Sequence, residues 1–270
     1  MQLRHLLVTT AAIMAATAAV ALPAPTVTPS GLDVSRVYSP DEVNKGELLT
    51  TFSAARYGNS SDTIQNNLQY GQLESMYGFT NDFSFGLITT GYRSGADSTL
   101  GYDTRSFNGD GYGVEAQYKL TSQKNNYWLS SALRGAYELP YHDDTESVGV
   151  LGLLLGRQEG NVKFTGDVGV YHGFGADRVG GYDIETALQG VYQLNKYINP
   201  GIEYFADWGA TNDLGVNGDR KGQYAGPVIT GNIAEIGNGS LGYTAGYEFG
   251  LTKSAADDAA RLEVSYALKF

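Results

Sequence analysis

From Glu47 to the last residue, apolar and polar positions trade places every second residue in one short run after another. A period of two belongs to strands whose two faces meet different surroundings. The last run is the clearest: Leu262, Val264, Tyr266, Leu268 and Phe270 share one parity, and Arg261, Glu263, Ser265, Ala267 and Lys269 the other. In 111–120, Tyr112, Val114, Ala116, Tyr118 and Leu120 oppose Gly113, Glu115, Gln117 and Lys119, and 182–193 and 241–251 alternate in the same way. The pattern predicts strands at 47–56, 66–79, 83–93, 111–120, 127–138, 147–157, 162–172, 182–193, 198–207, 223–234, 241–251 and 260–270. In 66–79 and Val148–Leu155 apolar residues occupy both parities, so the expected count is about 12, with 10 as the alternative.

The connections point the same way. Every second link is short: Thr80–Asp82, Thr121–Asn126, Gln158–Asn161, Leu194–Tyr197 and Glu235–Ser240. Long polar links intervene at Ser94–Asp110, Leu139–Glu146, Gly173–Gly181 and Trp208–Gly222. Short turns at one end and long loops at the other fit an up-and-down antiparallel barrel, and an even count puts both termini at the short-turn end. A bare, amphipathic terminal strand invites aggregation unless its edges are paired. Closure in a membrane satisfies the edges while lipid takes the greasy face. A soluble β-sandwich also alternates, but it needs no aromatic belts. Here Tyr77, Phe79, Phe83, Phe85, Tyr127, Trp128, Tyr137, Tyr141, Tyr171, Tyr192, Tyr197, Phe205 and Trp208 gather near strand ends. The fold class is therefore all-β, a transmembrane antiparallel barrel over 47–270. Its closing strand is expected to pair with 241–251 on one side and 47–56 on the other.

Residues 1–21 read as a cleaved secretory signal peptide, with a basic start, an apolar run and Ala19-Val20-Ala21 before the cut. Residues 22–46 hold four of the seven prolines and read as a periplasmic lead-in, folding as a short helix from Ser39-Pro40 or inward as a plug. Removing Arg4 takes the 18 bases to 17 against 29 acids, a net charge of −12, which argues against nucleic acid as a partner. There is no cysteine to form a disulfide and no apolar run after the leader long enough for a helical span. Tyrosine (20) and glycine (36) are abundant, as suits girdled strands and tight turns.

If Leu262 and Phe270 face lipid, the opposite parity lines the lumen. That places Glu115, Arg134, Glu138, Lys163, Asp167, Glu185, Glu203, Phe205, Asp207, Glu248, Arg261 and Glu263 inside, with Lys119 and Asp183 beside them. Charges of both signs in a confined bore set selectivity, or else pair across strands and fill it. Glu203, Phe205 and Asp207 share a parity, with Ile202, Tyr204 and Trp208 outside, a constellation favouring cations or hydroxylated solutes over anions. No cofactor and no metal is expected: the loop aspartates, Asn108-Gly109-Asp110-Gly111 included, lack complete calcium-loop spacing. A lipid hydrolase would need His142 or His172 beside a serine such as Ser130, Ser131 or Ser147, and nothing in the sequence links them.

The terminal strand, Arg261–Phe270, resembles the assembly signal of Gram-negative outer-membrane barrels, carried by Leu262, Val264, Tyr266, Leu268 and Phe270. Gly201–Gly209, Gly226-Pro227-Val228, Gly246–Thr252 and Arg261–Val264 resemble the C-terminal half of a proteobacterial outer-membrane family of transporters and phenol meta-pathway components. The resemblance implies an outer-membrane channel for small organic solutes, among them aromatic ones. It also implies contact with outer-membrane lipid, lipopolysaccharide and the barrel-assembly machinery. The expected function is passive or weakly selective uptake. The alternatives are a closed structural or receptor-like barrel that binds through its loops, and the hydrolase.

Overall fold

The computed structural model describes residues 36–58, 69–93, 108–141, 147–174, 182–210, 222–252 and 255–270. Twelve strands run in chain order: β1 (Glu47–Tyr57), β2 (Gln69–Gly78), β3 (Phe83–Arg93), β4 (Asn108–Thr121), β5 (Ser130–Pro140) and β6 (Ser147–Glu159), then β7 (Val162–Phe174), β8 (Asp183–Tyr192), β9 (Asn199–Ala210), β10 (Gln223–Ile236), β11 (Gly239–Gly250) and β12 (Asp258–Lys269). Each pairs antiparallel with its sequence neighbours, and β1 pairs with β12 to close the barrel. The closing register sets Leu48 opposite Leu268, Phe52 opposite Val264 and Ala55 opposite Arg261, while β12 pairs with β11 on its other side. Closure matters because each open edge would present a row of unpaired backbone groups. Strands of 10 to 14 residues are long enough to cross a hydrocarbon layer when tilted.

Local chemistry sets the short turns. Gly160 (φ 56°) and Gly237 (φ 60°) open two-residue links, where the hairpin twist favours a positive φ at the first position. The β4–β5 link is longer. Ser122 accepts a hydrogen bond from the Lys124 amide, a 3-10 turn runs over Gln123–Asn125, and Asn126 closes it in the left-handed region. Residues 127–129 therefore belong to this turn, and β5 begins at Ser130 rather than at Tyr127, as expected from the alternation alone. Apart from that turn, no helix is present among the described residues.

The outer wall is apolar, as lipid requires: Ile202 is 72% exposed, and Leu151, Leu188, Val168 and Leu262 are exposed as well. Aromatic rings gather at its two ends. Tyr77 packs on Phe79 (4.9 Å) and Phe270 (6.4 Å) at the short-turn end. Tyr112 meets Tyr141 (5.1 Å) and Tyr137 meets Phe174 (6.0 Å) at the other. The inward positions are polar, charged or small along much of the wall, with buried apolar clusters around Leu49 and Met76, around Leu154, and around Tyr57, Phe205 and Tyr224. Residues 36–46 run within the barrel and fill part of its bore.

Candidate functional site

Inward parity delivers the predicted lumen residues to a common space. Glu115, Arg134, Glu203, Phe205, Asp207, Glu248 and Arg261 are all buried there. Glu138 accepts from Thr90 Oγ1 (3.4 Å) and Asp167 from the Tyr38 amide (3.1 Å), so both also point inward. Glu185 stands opposite Asp207 in the β8–β9 register, just past a bulge. Lys163 keeps the inward parity but lies exposed near the short-turn rim, away from the charged layer. On the outward parity, the Trp208 indole donates to Thr186 Oγ1 (3.0 Å), and Tyr204 donates to Gln223 Oε1 (3.2 Å).

Three arginines organise the interior. Arg134 on β5 forks onto Glu115 of β4 with two bonds of 2.9 Å. Arg261 on β12 forks onto Glu203 of β9, through Nε at 2.7 Å and through Nη2, and its Nε lies 3.5 Å from Glu248 Oε1. A bidentate guanidinium–carboxylate fork is the geometry in which a desolvated pair recovers most of its lost hydration. Gly246 makes room for the second cluster, because a Cβ there would collide with both Glu203 Oε1 and Glu248 Oε1.

The third arginine comes from outside the wall. Arg36, 2% exposed, sits in the bore, with Nη1 2.6 Å from Glu74 Oε2 on β2, Nη2 on Glu42 and Nε 3.8 Å from Glu263 Oε2 on β12. Burial opposes its charge, but Glu42, Glu74 and Glu263 more than offset that and hold its pKa well above the ordinary arginine value. Two residues on, the Tyr38 ring contacts two guanidinium groups, Arg36 at 4.6 Å and Arg134 at 3.6 Å from its centre. Its hydroxyl accepts from Gln72 of β2 (3.0 Å), its amide donates to Asp167 of β7, and its ring packs with Ala132 of β5 and Leu154 of β6. β2 stands across the ring from the adjacent strands β5, β6 and β7, so Tyr38 bridges the bore from wall to wall.

Pro40 and Asp41 then form a turn, and no helix occurs over 36–46. Gln117 donates to the carbonyls of Ser39 (3.2 Å) and Pro40 (3.0 Å), while Lys119 pairs with Asp41 at 3.2 Å. Val43 packs on Leu49 and Met76 at the short-turn end. The void left beside Arg36 and Tyr38, bounded by Asp167, Glu185 and Phe205, is about 10 Å³, room for about one water.

An apolar layer closes the long-loop end. Tyr57 and Tyr224 meet edge to face at 5.9 Å and pack with Phe205, Ala187, Ala255, Ala256 and Ala259. The Ala256 amide donates to the Tyr224 hydroxyl (2.9 Å), which draws the β11–β12 link into the mouth.

Sequence reasoning missed Glu74 and Gln72, because β2 carries Tyr70 and Met76 on the same inward face and its alternation is blurred, and it missed Thr51 on β1, whose inward parity is shared with Leu49 and Ala55. It also missed Arg36 and Tyr38, although Arg36 is the first base after the leader. Of the residues weighed for hydrolysis, His172 stacks on Tyr182 (4.5 Å) and meets Phe174 edge-on (4.8 Å) in the outer belt. Ser130 accepts from the Gln123 amide, and Ser131 bonds Thr121. His142 and the acidic loop segments 94–107, 142–146 and 211–221 lie outside the described residues.

No family model matches the chain, and no curated protein matches its sequence. Among solved structures it is similar to an outer-membrane channel from Pseudomonas putida F1, at 14% identity over 90% of this chain and 100% of that one, with a TM-score of 0.57. It is also similar to the KdgM porin, at 12% identity over 82% and 99% of the two chains (TM-score 0.49). For the NanC porin the values are 9% identity, 82% and 100%, and a TM-score of 0.48. The likeness to the first of these, at 14% identity, establishes the fold alone, a transmembrane antiparallel β-barrel.

Proposed function

We propose that this protein is an outer-membrane channel for small organic solutes, closed at rest by residues 36–46 and opened when that segment shifts. The observation that carries the reading is how the bore is filled. Tyr38, Ser39 and Pro40 are held by wall side chains, Asp167, Gln72 and Gln117, and not by pairing into the sheet. Gly46 anchors the segment, its amide donating to the Gly78 carbonyl (2.8 Å) and its carbonyl accepting from the Phe270 amide (3.0 Å), so the residues before Asn44 can swing about that anchor while the strand ladders stay intact. The polar inner wall would then solvate a passing molecule, and the Tyr57–Tyr224 layer would act as a second, apolar constriction.

Location follows from the same features. Aromatic belts and an apolar outer wall call for lipid, the alternating terminal strand suits recognition by the barrel-assembly machinery, and residues 1–21 suit export. On this reading the short-turn end faces the periplasm and lipopolysaccharide surrounds the loop end. Mixed charges with aromatic faces suit amphipathic organic solutes. The family resembled by the C-terminal strands is one of organic-solute transporters, which agrees.

A closed structural barrel is the second reading, favoured by the burial of Arg36 and Tyr38. Planar-bilayer recording of the mature chain, Tyr38→Ala and a deletion of residues 22–46 separates the two. The channel reading expects brief openings from the native chain and longer ones from both variants. Folded but silent protein in all three would establish the closed barrel instead.

A further inference from the structure

The patch that receives Arg36 is unlike the rest of the wall. On three adjacent strands Thr51 stands opposite Glu74 and Ser265, and Ser53 stands opposite Gln72 and Glu263. All six are hydrogen-bond acceptors, and none is basic. The wall's own arginines direct their forks elsewhere, Arg134 to Glu115 and Arg261 to Glu203. The cation whose ion pair reaches Glu74 is brought in by the preceding segment.

That cation fits imperfectly. Thr51 Oγ1 and Gln72 Oε1 are buried without a hydrogen-bond partner, in residues only 1% and 2% exposed. Arg36 Nε and Nη1 are likewise buried without an aligned hydrogen bond, although Nη1 lies close to Glu74. Donors and acceptors are thus left over on both sides of the contact, and each buried orphan is destabilising. The guanidinium tethered through its own backbone leaves Thr51 and Gln72 unbonded, whereas an untethered one is free to reorient toward them. Tyr38 supplies the aromatic face that a planar cation stacks on.

We propose that Thr51, Gln72, Glu74 and Glu263, capped by Tyr38, form a binding seat for the guanidinium group of a small organic cation, and that Arg36 occupies this seat as a tethered mimic. The inference rests on the channel reading for its role: a solute carrying that group competes with Arg36 and so loosens the segment that blocks its path. The solute class is then monosubstituted guanidines, compact enough to enter once residues 36–46 move.

Arg36→Ala vacates the seat and leaves the capping tyrosine. In detergent-refolded full-length mature protein, its urea midpoint should rise with methylguanidinium or agmatine and saturate. Sodium chloride at equal ionic strength should leave it unmoved, and Arg36→Ala/Glu74→Gln/Glu263→Gln should not respond. No rise, or an equal rise in the triple variant, overturns the seat. Should Arg36→Ala not refold, the otherwise native chain with Ser39→Cys answers, because it has no other cysteine. Agmatine at ten times its Kd should speed thiol labelling of Ser39→Cys roughly tenfold by mass action; an unchanged rate overturns the proposal. Bilayer recording keeps the two ideas apart. Saturable stabilisation with silent membranes leaves the seat standing without the channel. Currents that agmatine neither promotes nor blocks, with no stabilisation, leave the channel standing without the seat.

Discussion

Replacing Arg261 with methionine tests whether the charged layer supports the barrel. The Arg261 and Glu203 side chains are 1% and 0% exposed, and Glu248 beside them is 0% exposed. Methionine roughly fills the stem of the arginine but takes the cation from two buried carboxylates. Glu203 would retain its hydrogen bond from the Gln189 amide at 3.2 Å but lose its counter-charge. Breaking a buried pair from one side costs about 3–5 kcal/mol, because the penalty is that of an uncompensated charge, which is roughly 150- to 5,000-fold in the unfolding constant. The assay is urea unfolding in detergent micelles followed by the fluorescence of Trp128 and Trp208, with the gel shift between heated and unheated samples as a second probe. Arg261→Met should lower the midpoint with little change in slope. Adding Glu203→Gln and Glu248→Gln removes the stranded charges and should restore at least half of the loss. A loss below about 1 kcal/mol, or no recovery in the triple variant, would show that water reaches this layer and that the pair carries little weight.

Three further outcomes follow from named contacts. Gly246→Ala puts a methyl group onto Glu203 and Glu248 and 3.3 Å from Arg261 Cγ, so the urea midpoint should fall by the equivalent of about 1–3 kcal/mol, with Gly242→Ala, whose Cβ has ordinary room at 3.6 and 3.8 Å and one tight contact with the Ser265 hydroxyl at 3.0 Å, costing less. Ile202→Arg places a charge on the outer wall at a residue 72% exposed, and folding into bilayers should weaken by about 2–4 kcal/mol while detergent folding changes little. Deleting Phe270, whose amide donates to the Gly46 carbonyl (3.0 Å), should lower the yield of membrane-inserted protein in cells without altering the solute preference of what does insert; normal insertion would count against its role as an assembly signal.

The wall of this barrel was legible one residue at a time. Lipid outside and a polar bore inside impose opposite demands on neighbouring residues, so the period of two is written locally, and strand starts such as Phe83, Ser147, Val162 and Gln223 follow from it. Where the pattern blurred, in β2 and β6, the structure shows why: Tyr70, Met76 and Leu154 face inward and pack on the plug or on apolar layers, and Val150 is buried on the same face of β6, so apolar residues stand on both faces. Parity likewise placed Glu203, Phe205 and Asp207 inside and Ile202 outside.

Parity cannot say who meets whom across the bore. Arg261 finds Glu203 three strands away, Tyr38 joins β2 to β7, and Arg36 reaches two strands that flank β1. These partners are fixed by the curvature of the closed sheet and by the path of a segment with no periodicity, properties of the whole ring and not of any stretch of it. The chain's local pattern therefore determined a barrel with a wet interior, and only the folded ring decided which segment fills that interior, and where its arginine binds.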